Sequence, residues 1–218
     1  MAKLIVFDLD GTLLNTLQDL TNSVNYAMDK LKLTSYDSKQ VQSMIGNGVV
    51  VLMQRAVTEA HSDKAEQALV FQRKYYSEHT NDYTKPYDGV CEMLRKLKVD
   101  GFTVAVHTNK DANCAEILCN RYFPSLVDFV LGTTDSITKP NPKKVLELMD
   151  KLQIPASRTV YCGDSDVDIF TAKNAGIKCI SVTWGFRNRE FLSANNAEYL
   201  ADNPDDVIAI AKRLTSLL

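Results

Sequence analysis

Leu4-Ile5-Val6-Phe7-Asp8-Leu9-Asp10-Gly11-Thr12 decides the reading of this chain. Its apolar opening, rich in branched residues and cut off abruptly by Asp-Leu-Asp-Gly, predicts a short strand buried on both faces. The run ends long before it could serve as the apolar core of an export signal. A lone strand cannot satisfy its own backbone, so its partners must come from further along the chain.

Working outward, strands are expected at 103–107, 129–131, 159–162 and 177–182, where short apolar runs are bounded by polar or turn residues. Helical spacing fills the intervals. Asp88 is placed to cap a helix whose apolar side is Val90, Met93, Leu94 and Leu97, with Gly101 suited to its end. Further helices are expected over 111–122, from Pro142 through 152, up to Ala175-Gly176, and over 204–217. Strands alternating with helices imply right-handed crossovers and an α/β fold with a doubly wound parallel sheet. Residues 15–86 break this rhythm. Leu17, Leu20, Val24, Ala27, Met28 and Leu31 recur at helical spacing, as do Val41, Met44 and Ile45, then Val50, Met53, Ala56, Val57 and Ala60, and then Ala65, Ala68, Leu69, Gln72 and Tyr76. No strand pattern occurs there, so an all-α insertion over 15–86 divides an α/β core made of 1–14 and 87–218.

Composition narrows the function. Among 218 residues, 45% are hydrophobic and 24% charged, the proportions of a folded globular protein, and the formal charge of -2 leaves no basic footprint for nucleic acid. Apolar stretches are too short and too interrupted to span a membrane. Five cysteines without a Cys-x-x-Cys pair argue against a disulfide framework and a zinc site, and fit a reducing cytoplasm.

The polar residues follow the strands. Asp8-Leu9-Asp10-Gly11-Thr12 follows the first and Thr108-Asn109-Lys110 the second. Asp135 and then Lys139-Pro140 follow the third, and Gly163-Asp164-Ser165-Asp166-Val167-Asp168 the fourth. In an open parallel sheet the carboxyl ends of the strands share one edge, where ligands bind. That edge should gather Asp8, Asp10, Asp164 and Asp168, whose mutual repulsion calls for protonation or for a hard cation with oxygen ligands, Mg²⁺ suiting best. Each piece has a plainer reading. Asp8-x-Asp10-Gly11-Thr12 suits a turn with Thr12 capping a helix, and Asp166 or Asp168 suits the first turn of the next helix. A calcium loop starting at Asp164 fails, because Ile169 and Ala175 stand where Gly and Glu are required.

Taken in order, these segments resemble the haloacid dehalogenase-like superfamily of phosphotransferases. Val6-Phe7-Asp8-Leu9-Asp10-Gly11-Thr12 matches its first motif and Val104-Ala105-Val106-His107-Thr108-Asn109 its second. Lys139 of Lys139-Pro140-Asn141-Pro142 is the third, and Gly163-Asp164-Ser165-Asp166-Val167-Asp168 the fourth. The resemblance implies a Rossmann-like core with a helical cap, and a phosphatase in which Asp8 is the nucleophile and Asp10 the general acid and then base. It further implies Mg²⁺ on Asp8, on Asp164 and on the Asp10 main-chain carbonyl, with Asp168 binding directly or through water. Thr108, Asn109 and Lys139 would hold the phosphoryl group. Members that displace halide usually lack the Asp10 equivalent, so a dehalogenase is not expected. Gly46-Asn47-Gly48 with Arg55 is similar to the cap of phosphoglycolate phosphatase-type members, and those residues are the candidate substrate contacts. They also suit a simple helix break and a solvent-facing arginine.

The expected substrate is therefore a small phosphorylated metabolite, phosphoglycolate first, handled by a cytoplasmic monomer or weak homodimer with no nucleic acid or membrane partner. Two rivals remain at this level. One is a sugar-phosphate mutase, which the Thr12 position disfavours. The other is a non-enzymatic receiver module phosphorylated on aspartate. His107 is expected to pack away from Thr108, and Tyr75, Tyr76 and Trp184 to serve packing.

Overall fold

The computed structural model describes residues 2–134 and 137–216. Asp135, and Leu217 at the end of the expected closing helix, lie outside them. The chain divides into two compact units, Met1–Leu14 with Pro86–Leu218, and Asn15–Lys85.

The first unit is built on six strands: β1 (Lys3–Phe7), β4 (Phe102–Asp111), β5 (Phe129–Thr133), β6 (Thr159–Gly163), β7 (Lys178–Val182) and β8 (Tyr199–Ala201). β2 (Leu14–Asn15) and β3 (Lys85–Pro86) form a two-residue ribbon where the chain leaves and re-enters this unit. The large sheet runs β5-β4-β1-β6-β7-β8, and every pairing is parallel. The chain winds outward on one side of β1 and then returns to build the other side. The order therefore reverses at β1, and a crevice opens at the carboxyl ends of β1, β4 and β6. A receiver module has a different strand order, with its second strand at one edge and its first strand inside, so that rival does not fit.

Why β1 reads as an unbroken apolar run is visible in the packing. Ile5 and Phe7 join one buried cluster with Val104, Val106, Val160, Cys162, Ile180 and Val182. That face is covered by α5 (Val90–Val99), α6 (Ala112–Tyr122) and α10 (Pro204–Ser216). Leu4 and Val6 point the other way, into a cluster with Ala105 and Tyr161 under α7 (Lys143–Leu152) and α8 (Asp166–Asn174). With helices on both faces, alternate side chains along β1 are equally buried, and polar alternation has no place.

Several expectations need correction. Asp88 does not cap α5; the cap position is Gly89, at φ 78, with no side-chain cap bond. The second strand is longer than 103–107. It runs to Asp111, because a register shift against β5 between His107 and Asp111 lets pairing resume beyond the polar residues. β8 and the short α9 (Arg189–Ala194) carry too little hydrophobic pattern to be read from sequence.

The second unit contains α1 (Leu17–Lys30), α2 (Ser38–Met44), α3 (Val49–Val57) and α4 (Ala65–Glu78), with a short 3-10 turn between the last two. It has its own core, with Val24, Ala27, Met28, Val41, Leu52, Met53, Ala56, Val57 and Ala68 all buried. Val50, expected on the apolar side, is exposed instead, since α3 opens with apolar residues around its whole circumference. Tyr75 stacks between Tyr26 and His79, at ring separations of 4.6 and 4.2 Å. Asp19 is buried and accepts hydrogen bonds from the Tyr83 and Thr84 backbone and the Thr84 hydroxyl, tying the return segment to the first turn of α1. No helix among the described residues is long and apolar enough to cross a membrane. All five cysteines are free thiols.

Candidate active site

The site is assembled where β1, β4 and β6 end. Asp8 follows β1, whose last residue pairs with Val106 on one side and Cys162 on the other. Thr108 lies two positions beyond Val106, and Asp164 two beyond Cys162. Adjacent parallel strands in register therefore deliver these side chains to one edge. Lys139 reaches the same place from the segment after β5. Its Nζ lies 2.8 Å from Asp8 Oδ1 and 2.8 Å from Asp168 Oδ1. Asp8, Asp164 and Asp168 are all buried, and each offers a carboxylate oxygen within 4.8 Å of the others.

Each of these groups is held. Asp8 Oδ1 also accepts the Leu9 N–H at 2.7 Å. Asp164 accepts the Phe186 N–H at 2.7 Å and the Thr12 hydroxyl at 3.0 Å. Thr12 thus serves a carboxylate rather than a helix cap. Asp168 completes a capping box with Ser165, the N-cap of α8, its Oδ2 accepting the Ser165 N–H at 3.1 Å and the Ser165 hydroxyl at 2.6 Å. With Oδ1 on Lys139 and Oδ2 on Ser165, both of its oxygens are engaged. The Asn109 side chain grips the Lys139 backbone from both sides, accepting its N–H at 2.7 Å and donating to its carbonyl at 3.3 Å. The Lys139–Pro140 peptide is cis.

Charge explains the tension. Burial drives the Asp8 carboxyl up to about 8, with Lys139 opposing the rise and Asp168 and Asp164 adding to it. Burial and then the Asp168 charge carry Asp164 up to about 7, against the hydrogen bonds from Phe186 and Thr12. Burial pulls Lys139 down, but the carboxylates of Asp168 and Asp8 more than reverse this and leave it well above an ordinary lysine. Full ionisation would set three carboxylates against one ammonium in a buried cluster, which is why Asp8 and Asp164 hold their protons so far up. A hard dication with oxygen ligands would let all three ionise, and Asp8, Asp164 and Asp168 each offer an oxygen to such an ion.

Glycines make the close approaches possible. Gly11 has φ +86, and a Cβ there would lie 2.4 Å from Asp164 Oδ2. At Gly185 a Cβ would meet Asp164 Cβ at 2.3 Å and the Gly11 carbonyl at 2.4 Å.

The structure does not bring all four expected acids together. The Asp10 carboxylate pairs with Lys110 Nζ at 2.9 and 3.0 Å and is not one of the three clustered groups. In the helical unit, Gly46 and Gly48 adopt φ of 128 and 85 around Asn47. Arg55 donates to the Met44 carbonyl at 2.7 Å and to Asn47 Oδ1 at 2.8 Å, so its guanidinium organises that loop. His107 packs as expected. It is buried against Tyr161, and burial, then Lys139 and Lys144, push it down to about 3. The Trp184 indole N–H bonds the Thr12 carbonyl at 3.1 Å. Sequence reasoning places Lys110 and Ser165 at the sheet edge without giving them a role, and does not reach Phe186. Ser165-x-x-Asp168 is a capping-box pattern that pointed to Ser165, but nothing in the sequence marked Phe186.

A model of the haloacid dehalogenase-like hydrolase family matches residues 5–182. A phosphoglycolate phosphatase of Vibrio parahaemolyticus is 35% identical, over 95% of this chain and 95% of its own. One from Neisseria meningitidis is 33% identical, over 90% and 86%. A crystal structure from Lactobacillus delbrueckii subsp. bulgaricus, assigned as a phosphoglycolate phosphatase, superposes with a TM-score of 0.91 at 30% identity, covering 97% of this chain and 98% of that one. The family model spans residues 5–182 and the likeness to these proteins runs along nearly the whole length, so the chain belongs to the haloacid dehalogenase-like hydrolase family.

Proposed function

We propose that this phosphatase is Mg²⁺-dependent and works through an aspartyl-phosphate on a small phosphorylated metabolite, with phosphoglycolate the leading substrate. The observation that carries the reading is Lys139 Nζ, 2.8 Å from both Asp8 and Asp168, with Asp164 in the same buried cluster. Such a cluster suits a site where phosphoryl charge is received beside a nucleophilic carboxylate.

With Asp8 Oδ1 held by Leu9 and Lys139, Oδ2 is the attacking oxygen. Its bond to phosphorus forms as the ester P–O bond breaks, and Asp10 supplies the proton taken up by the leaving alkoxide. Asp10 then takes a proton from water, whose oxygen attacks the same phosphorus, releasing phosphate and restoring Asp8. Lys139 and the Thr108 hydroxyl receive the charge that develops on the phosphoryl oxygens. The Asn109 side chain fixes Lys139 through its backbone. Mg²⁺ on Asp8, Asp164 and the Asp10 main-chain carbonyl would neutralise the carboxylates and polarise the phosphoryl group.

The Asn15–Lys85 unit is, in this reading, the family's cap. Gly46, Asn47 and Gly48 present backbone N–H groups to an anionic substrate, and Arg55 preorganises them. The names of the relatives support phosphoglycolate over other small esters. A phosphate-release screen over small phosphomonoesters, with Mg²⁺ and with chelator, tests this. The expected result is efficient Mg²⁺-dependent release from phosphoglycolate and a loss of at least about 1,000-fold in Asp8→Asn with its fold intact. Retained turnover in Asp8→Asn, or isomerisation of glucose 1-phosphate without phosphate release, would overturn it.

A further inference from the structure

Lys110 takes no part in the steps above, yet its placement is costly. Its side chain is 6% exposed and its partner Asp10 14%, and one ammonium spans both carboxylate oxygens at 2.9 and 3.0 Å. Removing two charges from water is unfavourable unless the geometry is close and fixed. Here both ends are fixed. Asp10 sits in a tight turn in which the Leu9 carbonyl accepts the N–H groups of Leu13 and Leu14 at 3.0 and 2.9 Å, and Gly11 N–H bonds the Leu14 carbonyl at 2.9 Å. Lys110 lies in the stretch where β4 shifts register, and its N–H bonds Thr108 Oγ1 at 3.2 Å. Shifts of this kind re-aim a side chain beside a site. Asp10 is also only two residues from Asp8, one of three clustered buried carboxylates, yet its carboxylate pairs with Lys110 instead of joining them.

We propose that Lys110 is the positioning residue for Asp10. Its ammonium holds the Asp10 carboxyl group in the orientation needed when the ester P–O bond breaks, the Asp8–phosphorus bond forms and the Asp10 proton passes to the departing alkoxide. The inference rests on the aspartyl-phosphate reading. It differs from a phosphate-binding role, which Lys139 fills, and from a role in binding the rest of the substrate.

Leaving-group dependence separates these roles. An alkyl phosphate such as phosphoglycolate needs a proton on its leaving oxygen, whereas p-nitrophenolate departs without one. The experiment is single-turnover phosphoenzyme formation with both substrates and added Mg²⁺, in wild type, Lys110→Met, Lys110→Arg and Asp10→Asn. Lys110→Met should lose about 10- to 100-fold with phosphoglycolate, a share of what general acid catalysis supplies. Its loss with p-nitrophenyl phosphate should be at least about tenfold smaller. Asp10→Asn should reproduce that selectivity, and Lys110→Arg should recover most of the phosphoglycolate rate. If Lys110→Met does not fold, Lys110→Gln, which keeps a donor but not the charge, must show the same selectivity.

Equal losses with the two substrates, no loss with either, or a rise in KM for phosphoglycolate with kcat retained would each overturn the proposal, the last by making Lys110 a substrate-binding residue. Turnover surviving in Asp8→Asn would instead bring down the parent reading, whatever Lys110 does.

Discussion

The buried acid cluster makes a prediction about stability that is opposite in sign to the usual loss of a salt-bridged carboxylate. Asp164 has an ordinary value of 3.8 in the unfolded chain and about 7 in the folded, metal-free protein, where burial and Asp168 disfavour its charge. Between those values the folded protein keeps a proton that the unfolded chain has released. The stability from this group is therefore fully present below pH 3.8 and is lost as pH rises through about 7. The slope is about 1.4 kcal/mol per pH unit, and integration from about pH 5 to pH 8 gives a loss of roughly 2 to 3 kcal/mol. Asp164→Asn cannot ionise and escapes that loss. In chelator, the stability of Asp164→Asn relative to wild type should rise by that amount between the two pH values, a relative shift of about 1 M in urea midpoint for a chain of this size. Saturating Mg²⁺ at the higher pH should stabilise wild type by about 3 kcal/mol at one hundred times its Kd and the variant far less, while the variant remains inactive. A relative stability that does not change with pH, or an equal Mg²⁺ effect on both proteins, would refute the reasoning.

Other expectations concern single contacts. Gly11→Ala combines a φ of +86 with a Cβ 2.4 Å from Asp164 Oδ2. It should cost about 1 to 2 kcal/mol from the backbone alone, and phosphate-release assays should show most of the activity gone. Asp19→Ala removes the carboxylate that accepts from the Tyr83 N–H and from the N–H and hydroxyl of buried Thr84. A loss of about 3 kcal/mol in urea unfolding is expected, and a loss under about 0.5 kcal/mol would show that the tie is not needed. His107, at about 3 when folded, gives stability that is present above about pH 6.5 and lost as pH falls toward 3. The advantage of wild type over His107→Gln should shrink by about 2 kcal/mol between pH 7 and pH 5, as measured by urea unfolding at both.

How much of this was legible follows from the physics of each signal. The core strands announced themselves because both faces of β1 and β6 are covered, so Leu4-Ile5-Val6-Phe7 and Val160-Tyr161-Cys162 carry no polar residue. The convergence of Asp8, Lys139 and Asp164 was legible because chemistry in a parallel sheet collects at one edge. What pattern could not give was side-chain direction at irregular backbone. Lys110 lies where β4 shifts register, so its partner depends on a geometry that periodicity does not encode. Asp10 follows β1 at the shared edge, which predicts its carboxylate among the other acids, whereas it pairs with Lys110 instead. Arg55 illustrates the same limit: its loop contacts with Met44 and Asn47 come from a turn set by two glycines at positive φ. Asp88 failed as a cap because Gly89 takes the left-handed conformation that the turn needs.

Everything proposed for the site requires Asp8 to carry the phosphoryl group. Acid quenching of a rapid reaction with radiolabelled phosphoglycolate and Mg²⁺, followed by peptide mapping, measures this. The label should appear transiently on the peptide containing Asp8, be released by hydroxylamine, and be missing in Asp8→Asn. Steady phosphate release with no labelled protein at any quench time, or a label on another residue that survives Asp8→Asn, would contradict it.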